Sequence, residues 1–498
     1  MFARVLVANR GEIAVRVIRA CREMGIEPIA IYSDADERAL HTSLAARAVR
    51  VGGAPASDSY LSIDSVLAAA RTVKADAVHP GYGFLSENAE FAAACAAAGI
   101  VFIGPSPEAM RLVGSKINAR ALAERAGVPV IPGEAPADQG DTALQAAAAR
   151  IGFPVLLKPS AGGGGIGMKV VTAAAGLSDA AAQARREAQA AFGDPTLYLE
   201  RLIAEPRHVE FQIMADHHGS VVHVFERECS LQRRHQKVIE ESPSVALTPA
   251  LRQRMGDAAV RVATAAGYTG AGTVEFLVEG AGDGARFYFL EVNARLQVEH
   301  PVTEMVAGVD LVRAQILVAA GEPLPWTQAQ LGQRGHAIEA RVYAEDPARG
   351  YLPQAGRVAL YREPSMPGVR VDAGVTEGSD VSVHYDPLLA KLVVWGETRE
   401  AARRRAVAAL NAFPILGLRT NQPLLRRLLG HPRFAAGALD THFLEREHDA
   451  LAGPQPGDET TREVAAAVAR FVSLGPEAGE APGFAAIDPW DRIAPFDV

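Results

Sequence analysis

Hydrophobic residues recur along the chain in two spacings, the alternation typical of strands and the three-to-four-residue spacing typical of helices. An apolar run at 5–8 predicts a buried strand, and a turn at 9–11 leads into a helix with an apolar stripe from Ile13 to Met24. A strand at 28–32 completes a strand–helix–strand unit. Such units also open dinucleotide-binding folds, but this turn lacks the Gly-x-Gly-x-x-Gly pattern that lets backbone approach a pyrophosphate. An NAD-dependent oxidoreductase is therefore disfavoured.

The strongest alternation covers residues 287–300. It begins as an aromatic run typical of a strand, and it places Glu291, Asn293 and Arg295 on one face with apolar residues on the other. A second strand at 272–279 precedes a turn rich in glycine and aspartate. The two strands predict an antiparallel hairpin with one core face and one polar face.

The hairpin brings Glu275 near Glu291, although a one-residue slip in register would separate their faces. Together with Asn293, the two carboxylates would supply the hard oxygen ligands that Mg²⁺ prefers when it also holds substrate phosphates. A solvated edge carrying ordinary glutamates is the alternative. These residues alone leave both interpretations open.

A glycine-rich segment at 161–167 lies between two predicted strands at 155–160 and 168–171. A tight hairpin turn would need only two such residues, whereas successive backbone N–H groups without Cβ atoms can close around phosphate oxygens. The spacing differs from that of a P-loop, and a strand rather than a helix follows. The segment predicts a mobile phosphate lid, with a flexible linker as the alternative.

Three polar segments extend the candidate site. The end of a predicted strand at 197–203 could offer backbone groups to a nucleobase. His208, Glu210 and Gln212 share one face of another strand, which predicts a polar wall rather than a metal site because no third ligand has suitable spacing. The cationic segment 227–237 fits either a solvated surface or a site for concentrated anionic charge.

Breaker residues and composition shifts divide the chain into about three domains. A Gly-Pro-Ser-Pro cluster at 104–107 ends the first domain. Alternating strands run from 335–343 onward, and a helix at 399–412 is predicted to cover them. From Leu451 the sequence becomes rich in proline and glycine, with one amphipathic helix at about 460–474, which predicts a linker or docking arm.

Composition excludes several classes of protein. The chain has 498 residues and a formal net charge of −8, so we expect no general attraction to nucleic acid or to anionic membranes. No apolar run is long enough to span a bilayer, and charge interrupts the N-terminal apolar run that a signal peptide would need. Cys21, Cys95 and Cys229 are isolated in sequence, which indicates reduced core thiols and predicts a cytoplasmic protein.

Taken together, the motifs resemble those of biotin carboxylase, the ATP-grasp component of biotin-dependent carboxylases; they lie at 9–14, 79–88, 161–167, 232–237 and 295–300. The resemblance runs from about 2 to 445. Segments 417–421 and 440–443 resemble the acyl-CoA branch, such as methylcrotonyl- or propionyl-CoA carboxylases. The family uses MgATP to activate bicarbonate as carboxyphosphate and then carboxylates N1 of biotin.

The resemblance implies a chain of mixed α/β and α+β class. A Rossmann-like pre-ATP-grasp domain would occupy 1–113, and an ATP-grasp domain with a mobile glycine-rich lid (about 131–204) would occupy 114–330. A C-terminal biotin-carboxylase α/β domain would follow at 331–446, leaving 447–498 as a linker or docking tail.

Site residues follow from the resemblance by position. ATP contacts are implied for Lys116, Lys158, Gly164, Gly165, Glu200, Ile203, His208, Gln232 and His235. Ligands of Mg²⁺ or Mn²⁺ are implied at Glu275, Glu291 and Asn293, and bicarbonate contacts at Lys237, Arg295, Gln297 and Val298. Biotin contacts are implied for Tyr82, Gly83, Arg341 and Asp386. Glu299 would be the base that deprotonates bicarbonate, with Lys237, Arg295 and Arg341 completing the catalytic set.

Two positions depart from the family pattern, since Ile166 replaces a common basic residue and Arg201 replaces a common lysine. The Met168-Lys169 pair lies beside the lid and is a poor biotin acceptor. The resemblance therefore implies a biotin carrier in trans or on a missing C-terminal region, a carboxyltransferase subunit and a possible homo-oligomer. Another ATP-grasp ligase that forms an acyl phosphate, or an inactive ATP-binding scaffold, are the competing interpretations.

Overall fold

The computed structural model describes residues 1–160, 167–233 and 236–452. Its N-terminal part is a parallel sheet in the order β3-β2-β1-β4-β5. The elements are β1 (Arg4–Val7), α1 (Gly11–Glu23), β2 (Glu27–Ser33), α2 (Leu40–Leu44), β3 (Arg47–Gly52), α3 (Ile63–Thr72), β4 (Ala77–His79), α4 (Ala89–Ala97) and β5 (Val101–Phe102). Hydrophobic residues pack on both faces of this sheet, as expected where helices connect parallel strands. The predicted Rossmann-like opening is confirmed.

Helices α5 (Pro107–Gly114) and α6 (Lys116–Arg125) follow, and the side chain of Ser115 caps α6 by accepting a hydrogen bond from the backbone N–H of Asn118 at 3.4 Å. The segment predicted as the lid then forms a small sheet in the order β6-β9-β7-β8, packed against two helices. Its elements are β6 (Gly133–Glu134), α7 (Asp141–Ile151), β7 (Val155–Pro159), β8 (Lys169–Val171), α8 (Leu177–Phe192) and β9 (Leu197–Arg201). The glycines at 162–165 lie outside the described residues.

The largest sheet is antiparallel, with eight strands in the order β14-β13-β10-β11-β12-β15-β22-β20. Six of its strands are β10 (Arg207–Ala215), β11 (Val221–Arg233), β12 (Gln236–Ser242), β13 (Gly270–Glu279), β14 (Arg286–Asn293) and β15 (His336–Tyr343). The helices between these strands are α9 (Pro249–Ala265), α10 (His300–Ala307) and α11 (Leu311–Ala319). Because β12 pairs with β15, this sheet runs from the predicted ATP-grasp domain into the predicted C-terminal domain. The cationic segment 227–237 is mostly strand, not a surface loop.

The C-terminal part completes that sheet and covers it. Its elements are β16 (Glu345–Asp346), β17 (Leu352–Pro353), β18 (Gly356–Arg357), β19 (Leu360–Tyr361), β20 (Val369–Ala373), β21 (Asp380–Val381), β22 (Leu388–Gly396), α12 (Arg399–Asn411), β23 (Ile415–Leu416), α13 (Gln422–Gly430), α14 (Pro432–Ala435), α15 (Phe443–Arg446) and α16 (His448–Ala452). Residues of α12 and α13 pack on the sheet in one hydrophobic core. The predicted tail begins later than expected, since Leu451 in α16 is buried in this core. The amphipathic helix predicted at 460–474 lies outside the described residues.

Within the described parts of the chain, no helix combines the length and hydrophobicity that crossing a bilayer requires.

Candidate active site

Strands β13 and β14 place the predicted metal ligands side by side. Glu275 lies directly opposite Glu291, and Thr273 lies opposite Asn293. The register is therefore the one that joins the two carboxylates. Burial, and then the charge of Glu275, raise the pKa of Glu291 above its ordinary value. A cation would stabilise the buried Glu275 and the half-buried Glu291, since the charge of Glu275 opposes ionisation of Glu291.

The donor chemistry fits a hard divalent ion, because the pair supplies carboxylate oxygens and Asn293 adds an amide oxygen. A second set of ligand atoms, on His208, Glu210 and Glu275, lies within 4.8 Å of one another. The prediction that His208 and Glu210 have no third partner is therefore wrong, because the neighbouring strand β13 supplies Glu275. The Lys237 ammonium already lies among this second set, which makes it the less suitable place for a metal ion.

Lys237 on β12 is bonded to three buried carboxylates. Its Nζ lies 2.5 Å from Glu210 Oε2, 3.1 Å from Glu275 Oε1 and 2.5 Å from Glu299 Oε1. Burial alone would lower its pKa, but the acidic neighbours outweigh burial and hold the pKa well above its ordinary value. The site therefore contains a permanent ammonium charge.

Glu299 is wholly buried and is held by two cations. Besides Lys237, it accepts a hydrogen bond from Arg341 Nη2 at 2.9 Å, while Arg341 Nε donates to Glu240 Oε1 at 2.6 Å. Burial and Glu210 oppose ionisation of Glu299, but Lys237, Arg341 and Arg227 lower its pKa below the ordinary value. Glu299 is thus an ionised carboxylate at neutral pH, which is the form a general base requires.

Arg295 extends the cationic wall. Its Nη1 lies 3.0 Å from Gln297 Oε1 and its Nη2 lies 3.2 Å from Asn293 Oδ1. Its Nε donates to Glu87 Oε2 at 2.8 Å. Glu87 belongs to the 79–88 motif, so the N-terminal domain orients this guanidinium.

These groups meet at one cavity of about 1680 Å³. Predicted site residues along its wall are Tyr82, Gly83, Lys116, Lys158, Glu200, Ile203, His208, Gln232, Lys237, Glu275, Glu291, Asn293, Arg295, Gln297, Val298, Arg341 and Asp386. Glu299 does not line the cavity, because Lys237 and Arg341 lie between its carboxylate and the open space. Gly164, Gly165 and His235 lie outside the described residues.

Comparison with known families matches almost the whole described chain. Residues 1–110 match the biotin carboxylase N-terminal domain, 115–327 the ATP-binding domain of the carbamoyl-phosphate synthase L chain, and 339–446 the biotin carboxylase C-terminal domain. A biotin carboxylase of Halalkalibacterium halodurans is 48% identical over 456 residues, covering 92% of this chain and 100% of that protein. This chain belongs to the biotin carboxylase family. The predicted enzyme class, an ATP-dependent ligase that carboxylates biotin, is confirmed with it.

Other similar proteins include a longer enzyme subunit and two solved structures. The mitochondrial methylcrotonoyl-CoA carboxylase subunit alpha of Oryza sativa is 50% identical over 473 residues, and the match covers 93% of this chain but only 64% of that subunit. A biotin carboxylase from Campylobacter jejuni, solved as a β,γ-ATP complex, superimposes with a TM-score of 0.86 at 45% identity, covering 90% of this chain and 99% of that one. The biotin carboxylase domain dimer of the Hydrogenobacter thermophilus 2-oxoglutarate carboxylase, solved with MgADP, ADP and bicarbonate, gives 0.86 at 42% identity, covering 91% and 100%.

On the side of the cavity that is predicted to bind the nucleotide, Lys158 on β7 forms an ion pair with Glu200 on β9. Arg120 on α6 lies 3.7 Å from the other oxygen of Glu200, a contact that sequence reasoning missed. Lys116 lies at the N-terminal end of α6, where burial lowers its pKa. The three cations and one carboxylate leave net positive charge on the cavity wall, which suits a polyphosphate.

On the side that is predicted to bind biotin, the Tyr82 hydroxyl donates to Glu12 Oε1, and Gly83 has a left-handed backbone with φ of +70°. Asp386 lies in the loop before β22, and burial raises its pKa. Tyr82 and Asp386 lie on the N-terminal and C-terminal domains, so the cavity is assembled from all three predicted domains.

Arg227 is the main residue whose role sequence reasoning missed. It is wholly buried and donates to Glu210 Oε1 at 2.5 Å, Gln212 Oε1 at 2.8 Å, Thr303 Oγ1 at 3.0 Å and Thr273 Oγ1 at 3.2 Å. It is therefore neither a solvated cation nor an anion ligand. We use the name charged cluster for the buried set Glu210, Arg227, Lys237, Glu240, Glu275, Glu299 and Arg341.

Proposed function

We propose that this chain catalyses the first half-reaction of an acyl-CoA carboxylase, the ATP- and bicarbonate-dependent carboxylation of carrier-bound biotin through carboxyphosphate. One observation carries the proposal: the nucleotide-side lysines, the carboxylate pair and the biotin-side residues line a single cavity, with an ionised carboxylate directly behind its cationic wall. The family relationship supports the same reaction.

Bicarbonate is a poor nucleophile until it loses its proton, and the phosphates of ATP oppose that loss. Lys237, Arg295 and Arg341 would offset the accumulated negative charge, and hydrogen bonds to Glu299 and Glu87 hold them in place. Preorganised charges of this kind need no reorientation during the reaction. Gln297 and Val298 would complete the bicarbonate contacts from the same loop.

Glu299 is proposed to accept the proton from bicarbonate. Because its carboxylate is enclosed by Lys237 and Arg341, we propose that the bound anion takes over one of these hydrogen bonds and so gains access to the base. A positioned carboxylate of suitable pKa contributes roughly 10²–10⁴-fold in rate. Arg341 would then stabilise the enolate-like oxygen of biotin, since its planar guanidinium stays charged at every working pH.

Glu275, Glu291 and Asn293 would hold Mg²⁺ or Mn²⁺, which supplies charge neutralisation for the phosphates when bound. Lys116, Lys158, His208 and Gln232 would contact ATP, with Glu200 and Ile203 at the adenine edge; Gly164, Gly165 and His235 stay part of the proposal by sequence position.

Biotin is proposed to arrive on a separate carrier or on a further region of the natural chain, beside Tyr82, Gly83 and Asp386. Lys169, the lysine of the Met-Lys pair, donates to Glu187 at 2.8 Å and is not placed as an acceptor. A carboxyltransferase subunit, a homo-oligomeric assembly and a cytoplasmic location complete the proposal. The three cysteines are free and buried, which supports a reducing compartment.

The test is phosphate release by the purified chain with MgATP, with and without bicarbonate, using a biotinylated carrier fragment or free biotin. We expect bicarbonate-dependent release and better use of the carrier, since tethering to a docked carrier raises the local biotin concentration to roughly millimolar. A carrier without biotin is the control. Release that ignores bicarbonate but responds to another carboxylic acid would instead indicate an acyl phosphate-forming ligase.

A further inference from the structure

The turn after β1 carries one of the motifs that resemble biotin carboxylase, yet it has no part in the proposed chemistry. Its residues contact the predicted N-terminal and C-terminal domains directly, and they reach the ATP-grasp domain through Lys391. Asn9 Nδ2 donates to the backbone carbonyls of Pro80 at 2.6 Å and Tyr82 at 2.7 Å. Glu12, which begins α1 together with Gly11, accepts a hydrogen bond from the Tyr82 hydroxyl. The turn thus holds the biotin-side loop through both its backbone and its side chain.

Glu12 also contacts a buried lysine of the C-terminal domain. Lys391 on β22 is wholly buried, and its Nζ lies 3.0 Å from Glu12 Oε1. The two domains approach closely here, because a Cβ built on Gly374 would lie 2.6 Å from the backbone nitrogen of Glu12. The Glu12–Lys391 pair is therefore sealed between packed backbones.

Lys391 reaches a third domain through its remaining hydrogen bonds. Its Nζ donates to the backbone carbonyl of Val298 at 2.8 Å. That carbonyl belongs to the peptide unit that joins Val298 to Glu299, the proposed base. Burying an ammonium group costs free energy unless the group is paired and hydrogen-bonded. A hydrogen bond from a charged donor to a carbonyl is stronger than one between neutral groups.

We propose that Lys391 and Glu12 are positioning residues that fix the Val298–Glu299 peptide relative to the biotin-side loop. The geometry forms an unbroken series of contacts from Tyr82 to Glu12, to Lys391 and to the Val298 carbonyl. The consequence is that the bicarbonate loop and the biotin loop are held in one arrangement before either substrate binds. This inference rests on the proposed function for its meaning in catalysis, but not for the contacts themselves.

Other charged groups near Lys391 do not replace this anchor. Asp372 Oδ2 lies 3.8 Å from Nζ, but it already pairs with Arg370 at 2.7 Å. Glu339 is buried on β15, and burial raises its pKa well above the ordinary value. Glu12 is the carboxylate that lies within hydrogen-bonding distance of Lys391 Nζ, at 3.0 Å.

The experiment compares Glu12→Gln, Lys391→Met and the double variant Glu12→Gln/Lys391→Met. Removing Lys391 alone leaves Glu12 buried and uncompensated, so we expect that variant to lose stability. The double variant removes both charges and should recover stability. It still lacks a donor for the Val298 carbonyl. A merely structural role predicts that the double variant recovers activity as well as stability, whereas a positioning role predicts that it recovers stability alone.

We expect the KM for bicarbonate of the double variant to rise roughly ten-fold, the effect of losing a hydrogen bond to a charged group. We expect kcat to fall by less than about three-fold, and MgATP affinity to stay unchanged, because no nucleotide-side residue is altered. Amide hydrogen exchange across 297–302 should become faster. The matched control is Arg252→Met/Glu226→Gln, which removes a buried 2.8 Å ion pair between α9 and β11 and should leave both readouts at wild-type values.

If the double variant showed unchanged amide hydrogen exchange across 297–302, Lys391 would not hold this loop in place. If exchange became faster but the KM for bicarbonate stayed unchanged, the contact would have no role in positioning the site. Failure of the proposed function would look different, since the wild-type chain itself would then show no bicarbonate-dependent ATP hydrolysis. In that case, amide hydrogen exchange across 297–302 would by itself test whether Lys391 holds this loop in place.

Discussion

Burial has opposite consequences for charge in two regions of this molecule. In the N-terminal parallel sheet, burial lowers the pKa of His41 to about 4 and that of His79 to about 3, so both imidazoles are neutral. In the charged cluster, Arg227 and Glu210 are equally buried and both are ionised. The difference lies in the partners, because His41 faces a backbone carbonyl at 3.1 Å whereas Arg227 and Glu210 face each other at 2.5 Å.

The buried His41 and His79 of the N-terminal region, where only packing is required, are neutral. In the charged cluster, where catalysis is proposed, the buried Arg227 and Glu210 are ionised. A buried ion is costly unless it is paired and fully hydrogen-bonded. The charged cluster largely meets that condition by pairing acids with bases on neighbouring strands, although the buried Glu240 Oε2 has no hydrogen-bond partner. The stability of the charged cluster therefore depends on the relative positions of its charged groups. The N-terminal core depends on packing and does not require such an arrangement of charges.

The largest expected effect breaks the cluster at its proposed base. Glu299→Gln keeps the shape of the side chain and one acceptor oxygen, which can serve either Lys237 or Arg341, but it cannot take a proton. We expect bicarbonate-dependent turnover to fall by roughly 10²–10⁴-fold while the Kd for MgATP stays near the wild-type value. Steady-state phosphate release and nucleotide titration measure the two quantities.

Glu226→Gln is the matched control, since Glu226 is a wholly buried carboxylate on β11 that pairs with Arg252 outside the cavity. Near-wild-type turnover of Glu299→Gln would remove the base assignment. An equal loss in both variants would show that any buried carboxylate change on these strands impairs the enzyme.

The second prediction compares one side chain from each region. Arg227→Met should lower the free energy of unfolding by about 3–5 kcal/mol, because it leaves Glu210 buried without one of its two bonded cations. Phe91→Ala in the N-terminal core should cost a similar amount, about 3–5 kcal/mol, by leaving a cavity. Denaturant unfolding measures both values.

Lowering the pH should separate these two variants. Burial opposes ionisation of Glu210, but Arg227 and Lys237 outweigh it and lower its pKa. Its ionised form therefore stabilises the wild type above the unfolded pKa, and that stabilisation is lost as the pH falls. Because the ordinary pKa of a glutamate is 4.5, this loss takes place below about that pH. The cost of Arg227→Met should therefore be smaller at pH 4 than at pH 8, while that of Phe91→Ala should be the same at both. Equal pH dependence would mean that Arg227 acts by filling space.

Sequence patterns predicted the N-terminal region more fully than the charged cluster, for a physical reason. The strand at 5–8, the following helix and the strand at 28–32 rest on local apolar periodicity, and the structure has them as β1, α1 and β2. The opposition of Glu275 and Glu291 depends on register, which a one-residue slip would change. No local pattern determines that register.

The partners of the site residues were missed because they lie far away in sequence. Glu87 orients Arg295 from 208 positions away, and Glu240 bonds Arg341 from 101 positions away. Arg227 was grouped with nearby cations although its partner Glu210 is on the adjacent strand. No local signal identified Glu240, because adjacent residues of a strand point to opposite faces and a glutamate is usually exposed.

The smallest expected effect concerns the neutral imidazole of the N-terminal region. The unfolded chain binds a proton at His41 near the ordinary value of 6.5, but the folded chain does so only near 4, because burial opposes the charged ring. Protons therefore favour the unfolded state, and the stability that His41 provides above pH 6.5 is lost as the pH falls toward 4. Between pH 7 and 5.5 this loss should be about 1 kcal/mol.

His41→Gln removes the titrating group and retains a donor for the Ile31 carbonyl. The stability difference between wild type and this variant should therefore shrink by about 1 kcal/mol between pH 7 and pH 5.5. The matched control replaces the exposed His217 with glutamine. If His41→Gln kept the full pH dependence, the imidazole would be charged in the folded state, and burial in the N-terminal core would not differ from burial in the charged cluster.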